Sequence, residues 1–400
     1  MLPDVRHESR KTLLALFENW GEPLYRVDQL LQWLWPRRAA SWEEMTNLPK
    51  TLRARLAETY SIGSLELARK QGSIDTTQKF LWRLHDGAFV ESVLIPANPA
   101  LYGDRADRHT LCVSTQVGCA YGCRFCASGL DGWKRNLAPW EIAGQILGIE
   151  RWNLSQPTVV PTPQTAGESI TGEVPAEATP APAASIPPMP GQPAKPSPSQ
   201  RLINNLVIMG MGEPLANYDN LLAALRSLNA PWGAHIGARK ITISTSGVVP
   251  RIRQLAMEPE QFQLAISLHG ATDVVRNRIM PINRKYPLAE LTAACDEYVK
   301  RKERMITLEY ILIDGVNDAR DQVLPLSQLA RRLNAKVNLI PYNKVEGLEW
   351  KRPTEERCRA FASALQATEV VTTLRIEKGH DIDAACGQLR LRTERELAAQ

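Results

Sequence analysis

Apolar residues recur at helical spacing near the start of the chain, at Leu13, Leu14, Leu16 and Phe17 and again at Leu30, Leu31 and Leu34. Pro23, Pro36 and Pro49 divide this region into short helices. From Ser64 the period shortens to two: SLELARK, QKFLWRL and AFVESVLIP read as strands, with Asp86-Gly87 as a hairpin turn between the last two. The pattern predicts an N-terminal accessory domain over residues 1–98, helices first and a short sheet after.

A different rhythm starts near Leu111. Short Val/Ile/Leu runs at 111–115, 206–209, 240–244, 263–267, 307–312 and 336–340 read as strands. Helical periodicity falls between them at 140–152, 218–228, 288–300, 322–333 and 354–365. Six such repeats predict an α/β domain over 99–390 around a parallel sheet, open or curled as part of a barrel. In that architecture polar residues at the strand ends face the site, which is where Glu213, Ser244, His269 and Asn343 fall. Residues 153–200 interrupt the rhythm with 12 of the chain's 28 prolines, no aromatic residue and four charges, Glu168, Glu173, Glu177 and Lys195. Such a segment has little to bury and is expected as a disordered or extended surface insertion within the second domain.

Composition narrows the class. With 44% hydrophobic and 23% charged residues, and no apolar run near the roughly 18 residues that cross a bilayer, a globular cytoplasmic protein with no membrane partner is expected. The N-terminal twenty residues lack the order of a signal peptide. A net charge of +5 permits an anionic partner without requiring one. Arg37, Arg38, Arg53, Arg55, Arg69, Lys70 and Lys79 offer phosphate contacts, and Trp33, Trp35 and Trp82 offer aromatic surface. Residues 1–60 nevertheless carry nine basic against eight acidic side chains, so ordinary solvated helices fit equally well. Lys134 and Arg135 are further candidates, whereas Arg301-Lys302 reads as a solvated helix end.

Three of the seven cysteines, Cys119, Cys123 and Cys126, lie within eight positions, an arrangement suited to metal ligation in a reducing compartment. A zinc site would ask for a fourth Cys or His, which only a remote residue could supply. Three thiolates without a fourth protein ligand suit a [4Fe-4S] cluster with one iron open to a small molecule. Cys112, Cys295, Cys358 and Cys386 read by themselves as buried structural thiols.

The CxxxCxxC spacing resembles the cluster motif of radical S-adenosylmethionine enzymes. The longer stretch LCVSTQVGCAYGCRFCASGLDGWKRNL resembles the adenine-C2 RNA methyltransferases that act on both 23S ribosomal RNA and transfer RNA. The similarity continues through VIMGMGEPLANYDN, KITISTSGVVP, LAISLHG, RNRIMPINRKY, TLEYILIDGVND, NLIPYN and GHDIDAACGQL, most of Glu91 to Leu389. It implies a partial (β/α)6 radical-SAM barrel, a [4Fe-4S] cluster on Cys119, Cys123 and Cys126, and S-adenosylmethionine contacted by Gly212, Glu213, Ser244, Ser267, Leu268, His269 and Asn343. It also implies that Cys386 carries a methyl group, that Glu91 accepts the C2 proton and that Cys112 resolves the protein–RNA adduct by forming a disulfide. Ribosomal RNA, transfer RNA and an electron donor such as flavodoxin are the expected partners, and a monomer is expected. Two alternatives stay open at this stage: the related adenine-C8 methyltransferases, which use the same thiols, and a non-catalytic zinc RNA-binding module.

Overall fold

The computed structural model of the chain describes residues 2–73, 76–96, 109–156, 201–375 and 387–398. Three helices lead: α1 (Arg10–Asn19), α2 (Tyr25–Leu34) and α3 (Lys50–Thr59). Ser9 caps α1 through the Thr12 amide, and Pro49 stands immediately before α3. Leu13, Phe17, Leu30, Leu31, Leu34, Leu52 and Leu56 are buried, and they belong to one continuous apolar core with the strands and helices that follow.

The strands β1 (Glu66–Gly72), β2 (Gln78–Arg83) and β3 (Phe89–Ile95) form an antiparallel meander. They do not make a separate sheet. β3 pairs antiparallel with β4 (Thr110–Cys112), and β4 opens a parallel series. That series continues, after the hairpin strands β5 (Gln116–Gly118) and β6 (Trp133–Asn136), through β7 (Asn205–Ile208), β8 (Ile241–Thr245), β9 (Gln263–Ser267), β10 (Ile306–Leu312), β11 (Ala335–Pro341) and β12 (Thr372–Leu374). The ten-stranded sheet runs β1-β2-β3-β4-β7-β8-β9-β10-β11-β12, leaving β1 and β12 as edges among the described residues.

Helices α4 (Pro139–Leu154), α5 (Tyr218–Asn229), α6 (Val249–Met257), α7 (Asp273–Ile279), α8 (Leu288–Lys302), α9 (Val323–Arg332) and α10 (Glu355–Gln366) fill the crossovers. Six strand–helix units therefore make the partial barrel, and the short β12 extends it by a seventh parallel strand that the periodicity did not indicate. The C-terminal helix α11 (Gln388–Ala398) lies on the opposite face of the meander from the main core, where Leu389 packs with Leu81 and Phe89.

Two readings of the sequence need correction. The first predicted strand of the barrel stops at Cys112, and Val113–Thr115 leave the ladder to bond the Val207 and Met211 carbonyls. Lys302 is not a solvated helix end: it is buried, with its ammonium donating to the carbonyls of Glu258 and Glu260. The helix before the expected insertion runs to Leu154, and residues 157–200 lie outside the described residues. No described helix is long and apolar enough to cross a membrane.

Candidate active site

The three clustered cysteines occupy the loop that joins β5 to β6. Gly118 starts it at φ +75°, where an added Cβ would stand 1.9 Å from the Gly132 carbonyl oxygen, so only glycine lets the two arms close. The Cys119 amide donates to that same oxygen at 3.1 Å, and the Cys126 amide donates to the Cys123 carbonyl at 3.1 Å. Outside bonds hold the loop in place: the Arg124 amide donates to Ile279 at the end of α7, and the Trp350 indole donates to the Arg124 carbonyl at 2.7 Å.

Burial pushes the Cys119 thiol up to about 12 and the Cys123 thiol well above its ordinary range. Cys126 and Glu213 raise both, and Cys119 also raises Cys123. Negative charge on these thiols is therefore unwelcome without a cationic partner. A multi-iron cluster takes each thiolate on a different iron, so three thiols in one loop with no fourth Cys or His beside them suit it and leave one iron open. The donor set fits that group better than it fits zinc.

The expected cofactor residues gather around this loop. Gln116 joins it to the Gly212-Glu213 turn: its side-chain oxygen accepts from the Glu213 amide at 2.9 Å and the Ala120 amide at 3.3 Å. Glu213 is buried, and its carboxylate accepts from the Leu215 and Ser246 amides at 3.0 and 2.7 Å. Desolvation raises its proton affinity against the bonds from Ser246 and Thr245. Ser244 lies within β8 rather than past its end, with its hydroxyl 3.4 Å from that of Ser267 on β9. Leu268 buries its side chain in the core, while its amide donates to the Glu309 carbonyl at 3.0 Å and its carbonyl accepts from the Gly270 amide and from Arg276 Nε. His269, at φ +54°, stacks edge-on against Phe125 of the cysteine loop at 4.8 Å. Its Nδ1 accepts from the Ile311 amide, which leaves Nε2 as the donor of the neutral ring. Burial lowers that ring to about 3, so it stays neutral at physiological pH. Asn343, two residues past β11, is half-buried, and Arg352 donates to its side-chain oxygen.

The thiol pair is only partly visible. Cys112 is buried at the end of β4, opposite Val93 in antiparallel register. Glu91 lies two residues from Val93 and so shares the face of Cys112. Cys386 lies outside the described residues. Its chain neighbour Gly387 donates to a Glu91 carboxylate oxygen at 2.7 Å, the Arg390 amide donates to the other at 2.7 Å, and Lys79 pairs with the carboxylate at 2.9 Å. Glu91 is therefore not an exposed strand carboxylate. Sequence reasoning passed over Lys79's role there, together with Gln116 and Ser114, whose hydroxyl bonds the Glu91 carbonyl and the Met211 amide. Gln116 and Ser114 sit inside the same block as the cysteines, which was the available signal.

Part of the proposed RNA surface is internal, while Arg37, Arg55 and Lys70 are exposed. Lys79, Trp35 and Trp82 are buried, so the expectation that they contact RNA is withdrawn. Arg38 pairs with the buried Glu150 at 3.0 Å, and Arg135 bridges Asp86 and Glu141. Arg37 remains exposed, 4.3 Å over the Trp33 ring.

Comparison with known proteins gives two family matches: the ribosomal RNA large subunit methyltransferase N-terminal domain over residues 5–62, and the radical SAM superfamily over residues 200–324. A probable dual-specificity RNA methyltransferase RlmN of Akkermansia muciniphila is 47% identical, covering 100% of this chain and 98% of its own. One from Opitutus terrae is 48% identical, covering 98% and 96%. The crystal structure of a radical SAM methyltransferase from Sphaerobacter thermophilus superimposes with a TM-score of 0.80 at 37% identity, covering 96% of this chain and 98% of that one.

Proposed function

The chain belongs to the dual-specificity RNA methyltransferases of the radical S-adenosylmethionine superfamily, and from that membership we propose that it methylates C2 of adenine in 23S ribosomal RNA and in transfer RNA. The observation that carries the reading is the grouping of three thiols with the Glu213 turn and the ends of β8 and β9, beside the strand that bears Cys112. Cys119, Cys123 and Cys126 would hold the [4Fe-4S] cluster. Gly212, Glu213, Ser244, Ser267, Leu268, His269 and Asn343 would contact S-adenosylmethionine. Once bound, the cluster supplies the electron that splits the sulfonium cofactor, which opens a radical route to a carbon too poor in nucleophilicity for direct displacement.

The chain's own groups do the rest. Cys386, as a thioether, carries the one-carbon unit to the base. Glu91 receives the C2 proton; three of its roughly four acceptor positions are engaged, which leaves one for that proton. The Cys112 thiolate then attacks the Cys386 sulfur to form the disulfide; the bond from that sulfur to the one-carbon unit breaks with its electron pair on the carbon, which takes up a proton to become the methyl group of the product. A reductant must reopen that disulfide, and an electron carrier such as flavodoxin must serve the cluster. Residues 1–98 act as the RNA-binding accessory region, and 99–390 as the catalytic domain. The target adenine has to be unstacked or unpaired to expose C2.

The test is anaerobic reaction of reconstituted protein with labelled cofactor and each RNA class. Cys386→Ala is expected to carry no protein-borne methyl group, and Cys112→Ala to accumulate a covalent protein–RNA species on a denaturing gel. Normal turnover by Cys112→Ala refutes the resolving step. Fragmentation of the product nucleoside distinguishes C2 from C8 methylation.

A further inference from the structure

Arg276, in the middle of α7, is wholly buried, yet among the described residues no carboxylate stands within ion-pair distance of it. Its guanidinium meets neutral acceptors. Nε donates to the Leu268 carbonyl at 3.1 Å, Nη1 to the Asn283 side chain at 2.7 Å, and Nη2 to the carbonyls of Ser246 and, at 3.4 Å, Ser267. Asp273 reaches it only through Asn283, whose amide donates to that carboxylate. A buried cation among carbonyls is unfavourable on its own, and a flat fork of fixed donors suits the holding of several acceptors in one geometry.

Those acceptors are the ends of two neighbouring strands. Ser246 follows β8 and donates its amide to the Glu213 carboxylate at 2.7 Å. Ser267 closes β9, and Leu268 leads into His269. Two glycines make room for the fork and its helix. An added Cβ at Gly247 would stand 3.2 Å from Nη2, and one at Gly270 would stand 2.7 Å from the Arg276 backbone nitrogen. The same helix ends at Ile279, whose carbonyl accepts the Arg124 amide of the cysteine loop at 3.0 Å. Desolvation draws the guanidinium down to about 10, with Cys123, Cys295 and Asp273 opposing the shift.

We propose that Arg276 is a positioning residue for the sulfonium cofactor: its fork sets the spacing of the Ser244–Ser246 and Ser267–His269 segments, and its helix seats the cysteine loop beside them. The inference rests on the cofactor site read above and assigns to Arg276 no contact with the cofactor itself.

The experiment compares reconstituted wild type with Arg276→Lys, Arg276→Gln and Asn283→Ala. Its readouts are iron and sulfide per chain, cofactor dissociation constant, and the change in the spectrum of the reduced cluster on cofactor addition. Both Arg276 variants are expected to retain iron near the wild-type level while cofactor affinity falls roughly ten- to a hundredfold, the size expected for loss of charge-assisted bonds. Lysine does not rescue, because it keeps the charge but loses the fork. Asn283→Ala leaves the cation in place and frees one nitrogen, so its affinity should fall severalfold with an intermediate spectral change. Unchanged affinity in a folded, iron-loaded Arg276→Gln protein overturns the inference. If neither Arg276 variant folds, unchanged affinity in Asn283→Ala overturns it. A wild-type protein that holds iron but shows no spectral response to the cofactor overturns the site reading itself, and this inference with it.

Discussion

Replacing Glu91 with glutamine tests how the chain after Cys386 is held. The carboxylate is buried between β3 and the start of α11, where the Gly387 and Arg390 amides and the Lys79 ammonium converge on its two oxygens. The two amides belong to the first turn of a helix, where donors have no intrahelical partner. Glutamine keeps the shape but offers one oxygen and one NH2 group, so one of the three donors meets another donor and the ammonium loses its counter-charge. Breaking a buried pair in this way costs about 3–5 kcal/mol, which raises the undocked population of the helix roughly 150- to 5,000-fold, up to the limit of global opening.

Hydrogen–deuterium exchange on the peptide covering 387–398 reads that population directly. Protection of those amides in Glu91→Gln within about threefold of wild type would refute the anchoring argument. The double variant Lys79→Met, Glu91→Gln removes both charges and should cost less than the sum of the single changes, because the two side chains are in contact. Incubation with substrate RNA separates anchoring from proton transfer. A residue acting only as the base would let the RNA adduct accumulate with exchange unchanged.

Gly118→Ala forces a Cβ into the Gly132 carbonyl at positive φ, adding about 1–2 kcal/mol of backbone strain to about 1–3 kcal/mol of overpacking; iron per chain should fall sharply while the far-ultraviolet circular dichroism stays near wild type. His269, lowered from 6.5 to about 3 by burial, binds a proton in the unfolded chain before it does in the folded one. Its contribution is thus intact above pH 6.5 and is lost as the pH falls toward 3, amounting to about 2 kcal/mol at pH 5. His269→Asn should flatten the drop in denaturant midpoint between pH 7.5 and 5, and an unchanged slope counts against the assignment. Lys79→Met should leave the salt dependence of RNA binding as it was, since that ammonium is buried, whereas Arg37→Ala should reduce the slope by up to about 0.9 if its exposed guanidinium contacts phosphate.

The main elements of the barrel were readable because each carries a strong local signal. β9 falls on residues 263–267 as the apolar run indicated, and α5 and α8 begin where their periodicity begins. α6 was passed over although Val249, Ile252 and Leu255 recur at helical spacing and are buried, whereas α7 went unseen for a physical reason. α7 spans only seven residues and buries Arg276 and Ile279, so it shows no apolar stripe to detect. β12 is three residues long and partly exposed, too short for an alternation to register.

The chain's local chemistry determined by itself that three thiols would share one loop, that glycine would open that loop, and that strands would alternate with helices, because spacing, backbone freedom and hydrophobic period are properties of neighbouring residues. Tertiary structure alone decided which charges would be spent inside. Lys79 and Glu91 face each other from adjacent strands, Glu91 receives amides from residues about 300 positions away, and Arg276 finds its acceptors at the ends of two other strands. Partners so distant along the chain leave no periodic trace, and whether a cation meets water or a carboxylate depends on which surfaces the fold brings together.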